Sequence, residues 1–113
     1  MPPKLTYVIK FVAEMDKAVQ FFRDTLGLTL KFQSPEWSEF LTGETTLALH
    51  RATEIKPAGS VELGFGVPSL DGFYKEMAAK GVHFPMPPTK QDFGGMLAQF
   101  HDSEKARCTV SGG

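Results

Sequence analysis

The chain opens on a run of β-branched and aromatic residues, LTYVIKFV (5–12), which has the composition of a strand. The period then changes. Met15, Ala18, Val19, Phe22 and Leu26 recur at the i, i+3, i+4, i+7, i+11 spacing of one helical face, and Gly27 supplies the stop. Three short strand candidates follow, LTLKFQ (28–33), WSEFLT (37–42) and TTLALHR (45–51), punctuated by Pro35 and Gly43. TEIKPAGS (53–60) reads as a polar linker.

Beyond the linker the order begins again. SVELGFGV (60–67) alternates, with Val61, Leu63, Phe65 and Val67 on one side and Ser60, Glu62, Gly64 and Gly66 on the other. A second helix carries Leu70, Phe73, Tyr74 and Met77 and stops at Gly81. VHF (82–84), a proline-rich loop PMPPTKQDFGG (85–95) and the strands MLAQFHD (96–102) and ARCTV (106–110) complete the half. The helices begin at residues 15 and 70 and their terminal glycines stand at 27 and 81, separations of 55 and 54 residues. The chain is therefore an internal duplication at the level of pattern. It is expected to form one domain, 1–113, of two modules at about 4–52 and about 60–111. A module with one helix covers only one face of its strands. Two of them side by side predict an α+β fold: a curved mixed sheet with helices on its outer face and a ligand-holding trough on the other.

Composition supports a packed core and removes several function classes. Of the 113 residues, 42% are hydrophobic and thirteen are aromatic, which is enough apolar area for a buried interior. Twelve basic against thirteen acidic residues leave a net charge of −1 with no like-charge run, which argues against nucleic acid as a partner. No apolar stretch approaches the ~20 residues of a membrane span, and no signal-peptide pattern opens the chain, so a cytoplasmic address with no membrane partner is expected. Cys108 is the only cysteine, which excludes an intrachain disulfide; strand alternation sends it to the side opposite Arg107, as a buried, inert thiol. A Gly-x-Ser-x-Gly elbow and a phosphate-cradling glycine loop are both absent.

Two stretches, MDKAVQFFRDTLGLTLKF (15–32) and GSVELGFGVPSLDGFYKEMAAKGV (59–82), with TTLALHR between them, resemble the vicinal oxygen chelate superfamily of glyoxalases, bleomycin-resistance proteins and extradiol dioxygenases. The likeness spans nearly the whole chain. It implies paired βαβββ modules, commonly assembled as a homodimer. In metal-dependent members a His or Glu ligand stands on the first and last strand of each module. Those positions fall here on Tyr7, Ala48, Glu62 and Thr109, of which only Glu62 is a usual ligand. The resemblance so read implies a protein with no metal and no cofactor. The family's Asp-Pro-Asp-Gly-Asn turn before the final strand is replaced by Asp102, Ser103, Glu104, Lys105 and Ala106, with the glycine lost. FHDSEKARCTV (100–110) is thus expected to be the last β-turn, formed by Asp102 and Ser103, with a structural role for His101.

Glu62 is the candidate acid or base, since its side of the strand is flanked by glycines and opens space for a ligand. Tyr7, Trp37, Phe40, His50 and Phe93 are the candidate ligand-binding residues, with Glu62, Arg107 and Thr109 adding polar contacts. Trp37 is expected in a loop after Pro35, and QDFGG (91–95) offers a glycine hinge for a flap. His83 is expected to face solvent. A displaced metal triad of His50, Glu62 and His101 is a further arrangement to test. These readings predict a metal-free protein that binds an apolar or aromatic small molecule. The alternatives are a lyase, isomerase or dioxygenase, metal-dependent or working through Glu62, and a dimerising module with no retained site.

Overall fold

The computed structural model describes residues 2–113. These residues form eight strands of a mixed sheet and two helices, an α+β fold, in two compact units, one of Thr6–Val61 and one of Glu62–Gly113 together with residues 2–5. In the first module β1 (Lys4–Val12), α1 (Met15–Gln20), β2 (Thr29–Gln33), β3 (Trp37–Leu41) and β4 (Thr46–Arg51) follow in order. Hydrogen bonding places them as β2-β3-β4-β1. The β2/β3 and β3/β4 pairs are antiparallel, whereas β1 runs parallel to β4 with Ile9 opposite Ala48. The second module repeats the plan with β5 (Val61–Val67), α2 (Leu70–Ala79), β6 (Met86–Lys90), β7 (Met96–His101) and β8 (Arg107–Gly112), in the order β5-β8-β7-β6. Again the first strand is parallel to the last, with Gly64 opposite Thr109.

Period 2 in the strands and 3.6 in the helix meet at the core of the first module. Val12, Phe40 and Leu49 pack with Met15 and Val19 of α1, and Phe22, Leu28 and Leu30 close around them. Leu26 departs from the predicted stripe and is 55% exposed. The cause lies in the turn before it: Phe21–Thr25 is π-helical, and the Leu26 amide donates to the Phe21 carbonyl five residues back. A π turn advances each residue by a smaller angle than an α turn, so the side chain at 26 swings off the buried face.

In the second module Leu70, Ala98 and Val110 are buried under Phe65, Val67, Phe73, Phe84 and Phe100. Ser69 caps α2, its hydroxyl accepting from the Gly72 amide at 3.2 Å. Gly81, at φ +93°, ends it with the paired backbone bonds Gly81 N–H to Ala78 O and Val82 N–H to Met77 O. Val61 and Leu63 were expected on the covered side of β5, yet they are 48% and 39% exposed. A ten-residue helix is about 15 Å long, and α2 packs over β6, β7 and β8.

VHF (82–84), which the repeat of strand, helix and three strands would make a strand, is irregular chain, and the strand lies at Met86–Lys90, inside the expected proline-rich loop. Pro87 and Pro88 fit there because β6 pairs only with β7 and its register shifts between Met86 and Thr89, so their missing amides interrupt no ladder. Among the described residues no helix is long and apolar enough to cross a membrane.

Candidate ligand face and comparison with known proteins

Strand alternation divides the first module's side chains between two faces. Phe40 and Leu49 point to α1, so Trp37 and Glu39 on β3, Ala48 and His50 on β4, and Tyr7, Ile9 and Phe11 on β1 point the other way. Ile9, Phe11 and Ala48 are buried there, with Tyr7 and Trp37 packed half-buried against them. The rings meet edge to face or at a tilt: Tyr7 to Trp37 at 5.9 Å, Trp37 to His50 at 6.0 Å, and Phe11 to His50 at 5.0 Å between centroids. Lys56 Nζ stands 5.8 Å from the Phe11 centroid, a cation already held by this ring set.

Polar groups fix the orientation of these rings. The Trp37 indole N–H donates to Glu39 Oε2 at 2.7 Å, and Lys31 Nζ lies 3.8 Å from Glu39 Oε1. Burial raises the Tyr7 phenol above its ordinary pKa, and the negative charge of Glu39 raises it further. His50 Nδ1 donates to the Arg51 carbonyl at 2.7 Å, since a carbonyl only accepts, and Nε2 is the ring's other polar atom.

The sequence-predicted residues fare differently. Tyr7, Trp37 and His50 come together, with Trp37 in a strand rather than a loop. Phe40 does not join them: it is 0% exposed in the helix-side core, because it stands an odd number of positions from Trp37 and Glu39. Glu39 was missed. The period-2 relation Trp37, Glu39 within WSEFL was the signal that could have found it.

In the second module Glu62 is 6% exposed, and its carboxylate accepts the hydroxyl hydrogen of Thr109. Arg107 Nη1 donates to Gln99 Oε1 at 2.8 Å, so all three of the expected polar contacts, Glu62, Thr109 and Arg107, are engaged with neighbours within the module. Phe93, 74% exposed, sits at a hairpin tip closed by Gln91 N–H to Gly95 O and Gly94 N–H to Gln91 O. The 91–95 segment is thus a hydrogen-bonded turn. Cys108 is buried, as its alternation with Arg107 requires. FHDSEKARCTV is the β7–β8 hairpin, with Asp102 Oδ1 accepting from the amides of Glu104 and Ala106; Ser103 makes no such bond.

The four family ligand positions do not fit a first-row cation, which takes imidazole and carboxylate. Ala48 is a buried methyl, Tyr7 a phenol packed edge-on against Trp37, and the Thr109 hydroxyl is directed to Glu62. Among the described residues no three His, Cys, Asp or Glu side chains converge, so His50, Glu62 and His101 form no facial triad. His101 instead lies beside His83.

Solved structures share this architecture. One described as NAD-dependent benzaldehyde dehydrogenase from Legionella pneumophila is 25% identical with a TM-score of 0.77, the alignment covering 97% of each chain. The hypothetical protein BH1468 from Bacillus halodurans is 14% identical over 100% of this chain and 96% of its own, with a TM-score of 0.79. Methylmalonyl-CoA epimerase from Mycobacterium tuberculosis is 14% identical over 96% and 87%, with a TM-score of 0.78. No curated protein matches the chain. The family model that does match spans residues 4–107, and the chain belongs to the Glyoxalase/Bleomycin resistance protein/Dioxygenase superfamily.

Proposed function

We propose that this protein binds a planar apolar or aromatic small molecule on the ring-bearing face of its first module and holds it without a metal. The observation that carries the reading is the set Tyr7, Trp37 and His50 around the buried methyl of Ala48. Half-buried rings locked edge to face offer flat apolar area at low entropic cost. The Tyr7 hydroxyl, His50 Nε2 and the Glu39 carboxylate lie on the same face and select polar substituents. Ala48 supports a metal-free mode, because a methyl in a ligand position offers a surface to pack on and no donor. The benzaldehyde in the description of the Legionella structure is an aromatic of the class proposed; the NAD in that description finds no phosphate-cradling glycine loop in this sequence.

Titration with planar aromatic fragments, indole and naphthalene carboxamide among them, in the presence of EDTA tests the reading. Trp37 is the sole tryptophan, so bound fragment is expected to quench its emission and raise the melting temperature. Tyr7→Ala is expected to weaken binding by about tenfold, roughly 1.4 kcal/mol. Unchanged emission and melting temperature across the panel would overturn the proposal.

A second reading, acid–base chemistry at Glu62, draws on a separate observation: a buried carboxylate oriented by the Thr109 hydroxyl. It requires turnover that disappears in Glu62→Gln while quenching persists. Turnover unaffected by that substitution rules it out.

A further inference from the structure

We infer that His83 and His101 form a second binding site, a two-imidazole chelate for a divalent first-row cation such as Cu(II), Ni(II) or Zn(II). His83 lies two residues past Gly81, whose φ of +93° turns the chain out of α2, and His101 closes β7. The His101 amide donates to the His83 carbonyl at 2.9 Å, which fixes the two backbones as neighbours. Their ring centroids stand 4.9 Å apart with the planes at 51°, which is not flat stacking.

That separation is compatible with a shared cation. Metal–nitrogen bonds of about 2.1 Å, with each ring nitrogen about 1.1 Å from its centroid, put a chelated metal about 3.2 Å from each ring centre. Nitrogen–metal–nitrogen angles from about 90° to about 110° then separate the centroids by about 4.5 to about 5.2 Å. The observed 4.9 Å lies inside this interval. Among the described residues neither ring has a side-chain hydrogen-bond partner, in contrast to His50, whose Nδ1 is held by Arg51.

The surroundings indicate how the site would be used. The pair opens on a groove of about 670 Å³ within the second module, walled on one side by Phe73, Met77 and Phe100. Two protein ligands leave coordination positions open to water or to a ligand's own donor. The groove therefore suits a molecule with a metal-chelating head, such as a hydroxamate or an α-hydroxy carboxylate, and an apolar body. Lys80, also in the wall, is compensated by Glu76 at 3.6 Å, and Asp102 Oδ1 is occupied by the amides of its own turn. The imidazoles are the groups that distinguish this groove from ordinary surface.

Calorimetric titration of the full chain with NiCl2 or CuCl2 is expected to give one site per chain. His83→Gln and His101→Gln are each expected to weaken it at least about tenfold, since either change reduces the chelate to a single ligand. Melting temperatures in EDTA check that both variants stay folded. Cu(II) electron paramagnetic resonance is expected to report two imidazole nitrogens, and added Cu(II) to broaden the ring-proton resonances of His83 and His101 before those of His50. Full affinity in the double variant, a single bound nitrogen, or broadening that reaches His50 first overturns the proposal.

Discussion

At Tyr7 two effects act in the same direction. Burial disfavours the phenolate most, and Glu39 on the same face adds repulsion. The phenol's pKa is therefore higher in the folded protein than the ordinary value of about 10 in the unfolded chain. The sign of the linkage follows: the stabilisation is fully present below about pH 10 and is lost as pH rises through the folded value. Tyrosinate absorbance is expected to show Tyr7 ionising late, and Glu39→Gln to move that step down without restoring it fully. Ionisation of Tyr7 at or below the ordinary value would contradict the placement of both residues. Tyr7, Trp37 and His50 were legible as candidate ligand contacts from their chemistry, whereas the strand position of Trp37, expected in a loop, came only with the structure. Phe40 was misplaced because an inventory of aromatics carries no information about faces, whereas its odd spacing from Trp37 does. Glu39 escaped for the complementary reason: a carboxylate in a strand reads as solvated until its indole partner is seen.

The β7–β8 turn shows what an element can hide. Its existence was readable from Asp102 and the polar run after it, and Asp102 does organise the loop by accepting two amides. The loss of the family's glycine has a cost that only the backbone displays. Lys105 occupies the corresponding position with φ +61°, the one non-glycine residue with positive φ among those described. A left-handed L-residue costs roughly 1–2 kcal/mol, partly offset by the greater entropy a glycine loses on folding. Lys105→Gly is therefore expected to stabilise the protein by up to about 1 kcal/mol in chemical denaturation. A midpoint that falls would contradict the assigned turn. The π turn before Leu26 and the displacement of β6 onto Met86–Lys90 were beyond periodicity for related reasons. A helical stripe gives the pitch only on average, and prolines demote a strand unless its edge position is known.

For the whole molecule the strongest signal was the repeated order of patterns at 54 to 55 residues, and it survives as two modules in which the first strand runs parallel to the last. Duplication keeps the plan and lets the surfaces diverge. The first module presents rings around Ala48, while the second presents a buried carboxylate bonded to Thr109 and, elsewhere, a pair of imidazoles. Strand spacing singled out Glu62 and Thr109 as positions the resemblance implies, but it could not show that Glu62 would be enclosed or that Thr109 would be its partner.

The claim on which the functional account depends is metal-independent binding at the first module's ring face. Amide and ring-proton chemical-shift mapping during titration with indole in EDTA tests it most directly. The account predicts the largest shifts at Tyr7, Trp37, Ala48 and His50, unchanged when the chelator is omitted. Shifts confined to other residues, or binding that appears only when a transition metal is supplied, would contradict it.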